Sequence, residues 1–108
     1  MPVREKGAES VSPAHRTILH LQQRGCLCDH VERRITHTLK RDWLGFADII
    51  AASTAGPIAV QATSSSNFSA RLKKMEANEY IPELIKRGWS VELYGWDHRD
   101  EPRIYVWG

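Results

Sequence analysis

The periodic part of the chain begins with apolar residues that recur at helical spacing. They stand at i, i+4 and i+7: Ala14, Ile18 and Leu21. This stripe predicts an amphipathic helix over residues 13–24, opened by the Ser12-Pro13 pair that favours a helix N-terminus. A second stripe follows the serine run in the middle of the chain: Phe68, Leu72 and Met75. Pro82 then predicts a break near residues 78–81, after which a short helix resumes.

Between and after these helices the pattern is that of strands. Residues 26–37 alternate imperfectly between apolar and polar side chains, which is typical of a half-exposed strand. The nearly continuous apolar character of residues 43–52 predicts a central strand that is covered on both faces. A Gly-Pro turn separates it from a third strand at 58–63. Two more strands are predicted at 89–95 and, close to the C-terminus, at 103–107.

The predicted order is helix, three strands, one or two helices, and two strands (α-β-β-β-α-β-β). Strands joined by short turns can pair antiparallel, whereas the helix between the third and fourth strands allows a parallel crossover. We therefore expect one α/β domain at 12–108, with a mixed β-sheet flanked by helices. The polar and charged residues 1–11 predict a flexible N-terminal tail.

Composition narrows the class of protein only a little. The 108 residues are 42% hydrophobic and 26% charged, as in ordinary globular domains, and the net charge of +2 permits a polyanionic partner without requiring one. No run approaches the ~20 apolar residues that span a bilayer, and no secretory signal is recognisable. We expect a cytoplasmic protein without a membrane partner. Its two cysteines, Cys26 and Cys28, are expected to be reduced thiols, since zinc would need ligands beyond these and His30.

Polar groups interrupt two of the predicted core strands. Asp48 lies in an apolar run, and Gln61 and Thr63 share one face of the third strand because strand side chains alternate. If the two strands form a hairpin, Asp48 lies beside Gln61. A buried carboxylate is costly unless it meets a hydrogen-bond donor, a cation or water. The structural interpretation is that Asp48 caps a turn or pairs with Arg41 or Arg71, and that Gln61 satisfies it by a hydrogen bond.

A functional interpretation comes from the segment DIIAASTAGPIAVQAT. It resembles the core of the PD-(D/E)XK nuclease superfamily, which includes restriction endonucleases and Holliday-junction resolvases, and in particular its small phage or bacterial members. In that family an aspartate opens one central strand, a (D/E)XK triplet lies on the next strand, and a helix follows. Asp48 matches the aspartate and Gln61-Ala62-Thr63 matches the triplet, within a resemblance that covers about residues 13–95. The resemblance implies a restriction-endonuclease-like fold and a Mg²⁺-dependent endonuclease that hydrolyses DNA phosphodiesters.

The triplet departs from the family pattern at two positions. Gln61 stands where an acid is usual, and Thr63 stands where the catalytic lysine is usual. The resemblance implies that Asp48, the Gln61 side-chain oxygen and the Ala62 carbonyl bind Mg²⁺ or Mn²⁺, weakly because only one of them is charged. Thr63 would position the attacking water but brings no positive charge.

Nearby charges could compensate for these losses. Glu32 or Asp42 could serve as a second acid, and Lys74 or Arg71 could replace the missing positive charge. The alternatives are a solvated helix face for the two cations and, for Glu32, a surface ion pair with a neighbouring cation. The candidate partners in that ion pair are two: Arg34 and Lys40.

Basic residues bracket the proposed site on both sides in the sequence. They are Arg33, Arg34, Lys40 and Arg41 before it, and Arg71 and Lys73 after it. Such clusters would hold phosphates on either side of a scissile bond. The leading hypothesis is therefore a nuclease that acts on DNA, with a homodimer as the candidate assembly. The alternatives are a catalytically inactive nuclease-fold module that binds nucleic acid or protein, and a structural protein whose resemblance is accidental.

Tryptophan is frequent for this length, with four residues. Trp43 and Trp89 are expected in the core. Trp96 and Trp107 have charged neighbours, so they either stack on nucleic-acid bases or pack within the core or a dimer.

Overall fold

The computed structural model describes residues 11–108, so nearly all of the predicted tail at 1–11 lies outside the described residues. Helix α1 spans Pro13–Gln23, as the apolar stripe predicts. Its N-terminus is capped by Ser12, whose hydroxyl oxygen accepts a hydrogen bond from the His15 backbone N–H at 3.1 Å. None of the helices in the described part of the chain is long and apolar enough to cross a membrane.

Seven strands and two further helices follow α1 in the described residues. The strands are β1 Leu27–His30, β2 Arg33–Arg34, β3 Lys40–Arg41, β4 Ile49–Ser53, β5 Gly56–Ser64, β6 Ser90–Trp96 and β7 Arg103–Trp107. The helices are α2 Phe68–Glu76 and α3 Tyr80–Lys86, with a short 3₁₀ turn at Ser65–Asn67 before α2.

Five of the strands form one mixed sheet in the order β1-β4-β5-β6-β7, and β2 and β3 form a separate hairpin. The β1–β4, β4–β5 and β6–β7 pairs are antiparallel, whereas β5 and β6 are parallel. The parallel pair is joined through α2 and α3, the crossover that the sequence predicts. The protein is thus an α/β fold in which a mixed five-stranded sheet packs against three helices.

Helices cover both faces of the sheet and create two apolar clusters. On one face, Ile18 and Leu21 of α1 pack with alternate residues of the central strands, including Val60. On the other face, residues of α2 and α3 pack with the intervening residues, including Ala59. Because side chains alternate along β5, Gln61 and Thr63 fall on the same side as Ala59 and face the α2–α3 layer. Continuous hydrophobicity in the central strands therefore reflects burial on both faces.

Two predicted strands differ from the structure. The strand predicted at 26–37 is divided into β1 and the first half of the β2–β3 hairpin. The strand predicted at 43–52 begins only at Ile49, because residues 43–47 form a turn in which Leu44 and Gly45 have positive φ angles of 53° and 80°. Phe46 is nevertheless 2% exposed, so the turn is as apolar as a strand, and hydrophobicity alone could not distinguish the two.

The predicted break near Pro82 is confirmed. Helix α2 ends at Glu76, and α3 begins at Tyr80, so Pro82 lies in the first turn of α3, where helical N–H groups have no intrahelical acceptor. Trp43 and Trp89 pack with ring centroids 5.3 Å apart. Trp96 is 6% exposed, so it packs in the core and is not available to stack on a base.

Candidate functional site

Asp48 and Gln61 meet at the point where β4 begins beside β5. The Asp48 backbone N–H donates to the Val60 carbonyl at 3.0 Å, which places its side chain against β5. Gln61 Nε2 then donates to Asp48 Oδ2 at 2.9 Å. Both side chains are buried. The predicted proximity of the carboxylate and the amide is confirmed, and neither of the predicted arginine partners takes the place of Gln61.

The second carboxylate oxygen of Asp48 is buried and has no hydrogen-bond partner among the described residues. Burial raises the pKa of Asp48 to about 7, and the nearby Asp42 and Glu32 carboxylates raise this pKa as well. The backbone N–H of Ala62 acts in the opposite direction. An orphaned acceptor in a core is uncommon in folded proteins, so Asp48 Oδ1 is the clearest sign of an incomplete site.

The Gln61 amide nitrogen lies between two of the predicted cation ligands. Gln61 Nε2 is 2.9 Å from Asp48 Oδ2 and 3.4 Å from the Ala62 carbonyl oxygen. The side chain thus presents its nitrogen to Asp48, whereas the predicted metal role requires its oxygen. Rotation of the amide by half a turn would exchange the two atoms. No group of three His, Cys, Asp or Glu side chains within residues 11–108 is arranged to hold a metal ion.

Thr63 lies two residues beyond Gln61 on the same face of β5 and is 5% exposed. It pairs in register with Gly95 of β6, which in turn pairs with Arg103 of β7. A Cβ on Gly95 would come within 2.5 Å of the Phe68 ring, so glycine is required for α2 to approach the sheet here. Phe68 therefore closes the end of the site nearest Thr63.

Asp42 and Glu32 surround the Asp48 carboxylate with further negative charge. Burial raises the pKa of Asp42, and the charge of Glu32 adds to this effect, while Arg71 and Lys74 act in the opposite direction. The fold thus brings Glu32 and Asp42, the two candidates for a second acid, into the region of Asp48. It also brings the α2 cations Arg71 and Lys74 close enough to act on Asp42. Glu32 Oε1 is also 3.8 Å from a surface cation, the Nζ of Lys40, as the alternative interpretation of Glu32 expects.

The predicted basic residues lie on exposed elements that adjoin the site. In the β2–β3 hairpin, Arg33 pairs with Arg41 and Arg34 pairs with Lys40. We call this element the basic hairpin. Like charges directly opposite each other destabilise a strand pair, so a polyanion would relieve this repulsion. On α2, which follows the site in the chain, Arg71 is half-buried and Lys73 is exposed. The positive charge of Arg71 lowers the pKa of Asp42.

A cleft of about 600 Å³ opens beside Asp42. It lies between the turn at 41–45 and the junction of α2 with α3, where Asn78 and Tyr80 contribute to the wall. Sequence reasoning missed this cleft, because it depends on the turn that was predicted as a strand.

A second buried acid lies on the opposite face of the sheet, and sequence reasoning missed it too. Glu92 of β6 accepts hydrogen bonds from Arg24 Nη1 at 2.8 Å and from the Tyr94 hydroxyl at 2.9 Å. The Arg24 guanidinium also donates to the Tyr94 oxygen at 2.6 Å. Both oxygens of this carboxylate face the guanidinium, since Arg24 Nη2 lies 3.4 Å from Oε2.

Comparisons with protein-family models, with curated proteins and with solved structures find no match to this chain. Its chemistry is therefore argued from the arrangement of its own residues. That arrangement joins one buried and incompletely bonded carboxylate, a neighbouring amide and hydroxyl, two further acids, and two groups of exposed cations.

Proposed function

We propose that the chain is a Mg²⁺- or Mn²⁺-dependent endonuclease of the PD-(D/E)XK type that hydrolyses phosphodiester bonds in DNA. The observation that carries the proposal is the buried Asp48 carboxylate with its unpartnered Oδ1, at the start of a central strand and beside Gln61 of the next strand. The order of elements supports it: α1, the antiparallel strands β1, β4 and β5, a helical crossover, and the parallel strand β6. This is the order that the resemblance to a restriction-endonuclease-like fold implies.

The donor set suits a hard cation that prefers oxygen. Asp48 Oδ1 lacks a partner, the Gln61 amide contacts the same carboxylate, and the Ala62 carbonyl contacts the Gln61 amide. The Gln61 oxygen would become a ligand only after the amide turns, and a single carboxylate predicts weak binding. When bound, such a cation polarises the phosphate and lowers the pKa of a water molecule.

The protein's own residues would divide the remaining work. Asp48 holds its negative charge towards the cation site, and Thr63 can hydrogen-bond a water on the same face of β5. Lys74 and Arg71 lie near Asp42 and supply positive charge that Thr63 lacks. Glu32 or Asp42, whose charges act on Asp48, would serve as the second acid of the site.

DNA would bind across the two groups of cations that adjoin the site. The basic hairpin offers four exposed positive side chains, and α2 adds Arg71 and Lys73. Contacts of this kind fix the position of the phosphate backbone but do not read the base sequence. A homodimer would place two such sites across a duplex or a junction, and sedimentation of the free protein would test that assembly.

The test is cleavage of plasmid and branched DNA with Mg²⁺ or Mn²⁺. Asp48→Asn preserves the size of the side chain and removes its charge, so we expect the rate to fall about 100-fold or more, as when a group that stabilises transition-state charge is removed. Asp100→Asn, which changes an exposed aspartate, is the matched control and should cleave at the wild-type rate. Undiminished cleavage by Asp48→Asn would exclude the proposed role of Asp48.

A second candidate function is a nuclease fold that binds DNA without cleaving it. Two observations favour it: Thr63 carries no charge, and the Gln61 nitrogen faces the Asp48 carboxylate where a cation ligand is needed. Calorimetric titration separates the two functions. Retardation of DNA with no heat of Mg²⁺ or Mn²⁺ binding would favour the binding module.

A further inference from the structure

The cleft is lined by Asp42, a neighbour of the candidate site in the fold. Trp43 and Ala47 form an antiparallel bridge, so the residues that flank this bridge, Asp42 and Asp48, lie opposite each other. A group held in this cleft would therefore lie next to the carboxylate proposed to bind the cation. The volume of about 600 Å³ is sufficient for one nucleotide.

Both walls of the cleft are held in place by one side chain. Asn78 Nδ2 donates to the Leu44 carbonyl at 3.2 Å, and Asn78 Oδ1 accepts from the Tyr80 backbone N–H at 2.8 Å. Leu44 has a φ of 53°, a left-handed conformation that is uncommon for a leucine. Strained residues of this kind persist where the surrounding structure fixes them, and they cluster at functional sites. The cleft is thus built before any ligand arrives.

The lining of the cleft favours a neutral aromatic ring over a phosphate. Asp42 and Glu79 line it and would repel a phosphate. The same carboxylates can accept hydrogen bonds from the amino group of cytosine or adenine. Tyr80 is 46% exposed, so its ring is available for stacking. Arg41, the one lining cation among the described residues of this cleft, belongs to the basic hairpin and can hold the phosphate attached to such a base.

We propose that this cleft holds an unpaired DNA base stacked on Tyr80, beside the bond that is cleaved. The proposal rests on the proposed nuclease function and specifies its substrate class. A base in a continuous duplex must leave its stack before it can enter a protein cleft, and this is easiest where it is already unpaired. The preferred substrate is therefore DNA with an unpaired nucleotide next to the cleavage position, such as a fork, a flap or a branch.

The test measures binding without metal, so that it does not depend on cleavage. A forked DNA with 2-aminopurine as the first unpaired base is compared in EDTA with a fully paired duplex of the same sequence. Wild type should bind the fork about 5-fold or more tightly than the duplex, and stacking should quench the 2-aminopurine fluorescence. Tyr80→Ala should lose both the preference and the quenching while binding the duplex as wild type does, and Tyr80→Trp should retain both.

Tyr105→Ala is the matched control, because Tyr105 is a tyrosine of similar exposure, 40%, on strand β7. It should keep the preference for the fork. A preference that survives in Tyr80→Ala, or that falls equally in Tyr105→Ala, would overturn the proposal. Thermal melting of each variant confirms that it is folded, and quenching in wild type reports stacking without any substitution.

Cleavage assays then separate this proposal from the one it rests on. A protein that prefers the fork through Tyr80 but cleaves nothing with Mg²⁺ or Mn²⁺ supports the base-binding cleft and defeats the nuclease. A protein that cleaves paired duplex as fast as forked DNA supports the nuclease and defeats the cleft as a determinant of substrate. A wild-type protein that binds neither DNA defeats both.

Discussion

Two buried carboxylates lie on opposite faces of the same sheet, and their surroundings differ completely. Asp48 is 9% exposed and faces the α2–α3 layer, whereas Glu92 is 5% exposed and faces α1. Glu92 meets the Arg24 guanidinium and the Tyr94 hydroxyl. Asp48 accepts one side-chain hydrogen bond, from the neutral Gln61 amide, and its Oδ1 has no hydrogen-bond partner among the described residues.

The difference shows that burial of an acid does not by itself mark a functional site. Glu92 has the partners that a buried charge requires, and its contacts tie Arg24, at the end of α1, to β6. The charges that act on Asp48 are those of other acids, Asp42 and Glu32, which raise its pKa further. An unpartnered buried carboxylate destabilises the fold unless a ligand binds to it. Such destabilisation is typical of functional sites and uncommon at purely structural positions.

The largest expected effect concerns the dependence of stability on pH. The pKa of Asp48 is raised from an ordinary value of 3.8 to about 7 in the folded protein. The folded state therefore binds more protons than the unfolded chain between these two values. The free energy of unfolding should fall as the pH rises from 4 to 7, by up to about 4 kcal/mol at about 1.4 kcal/mol for each pH unit.

Urea denaturation of the metal-free protein at a series of pH values measures this slope. Asp48→Asn should make this slope shallower, whatever constant offset the new amide introduces, and the raised pKa of Asp42 leaves a smaller slope of the same sign. The exposed control Asp100→Asn should leave the slope unchanged. Curves for wild type and Asp48→Asn that run parallel from pH 4 to 7 would contradict the assignment of a destabilised carboxylate.

Removal of Glu92 should have the next largest effect on the free energy of unfolding. At neutral pH we expect this substitution to destabilise the protein, whereas removal of the Asp48 charge should stabilise it. Glu92→Ala leaves the Arg24 guanidinium and the buried Tyr94 hydroxyl without their acceptor. We expect a loss of about 2–3 kcal/mol in the free energy of unfolding, below the full value for a buried pair because Arg24 is partly exposed. Glu92→Gln, which keeps an acceptor, should lose less, and stability that is unchanged in both Glu92→Ala and Glu92→Gln would argue against the ion pair.

A third prediction addresses the weak ligand in the candidate site. Gln61→Glu places a second carboxylate beside Asp48 and should tighten Mn²⁺ binding about tenfold, which corresponds to about 1.4 kcal/mol. It should also destabilise the metal-free protein at neutral pH, because like charges then meet in a buried place. Calorimetric titration measures the affinity, and Gln22→Glu, on the exposed side of α1, is the control. Equal affinities in the two variants would remove Gln61 from the proposed ligand set.

The smallest effect is expected at the basic hairpin. Arg34→Ala should weaken the binding of DNA to the basic hairpin. It should also reduce the slope of log affinity against log salt concentration by about 1 in magnitude. Arg99→Ala removes an exposed cation whose backbone carbonyl contacts Arg16 of α1, and it should change neither quantity. Equal losses in the two variants would mean that DNA binding is a property of total charge and not of this surface.

Local patterns predicted much of the fold correctly. The apolar stripes placed α1 and α2, Pro82 marked the break before α3, and the residues of β7 agree with the predicted range. The pairing of β4 with β5 also follows from local sequence, because a short turn joins them, and it brings Asp48 to Gln61. The catalytic roles of these residues remain predictions.

The turn at residues 43–47 was predicted wrongly for a physical reason. Phe46 and Ala47 are buried in the cluster formed with α2 and α3, and Trp43 and Leu44 pack against it, so the segment is as hydrophobic as a central strand. Hydrophobicity reports burial and not backbone direction. The left-handed conformation of Leu44 depends in part on a hydrogen bond from Asn78, which is 34 residues away in the chain. No pattern within 43–52 could have indicated it.

The sequence by itself determined the helices and most of the strands, since these depend on side-chain spacing within a few residues. It also predicted that Asp48 lies beside Gln61 if their strands form a hairpin. Only the tertiary structure decided which buried acid has a partner. Arg24 reaches Glu92 across 68 positions of the chain, while no cation bonds to Asp48 in the described residues. Such pairings depend on how the helices dock against the two faces of the sheet, and docking is a property of the whole packed molecule.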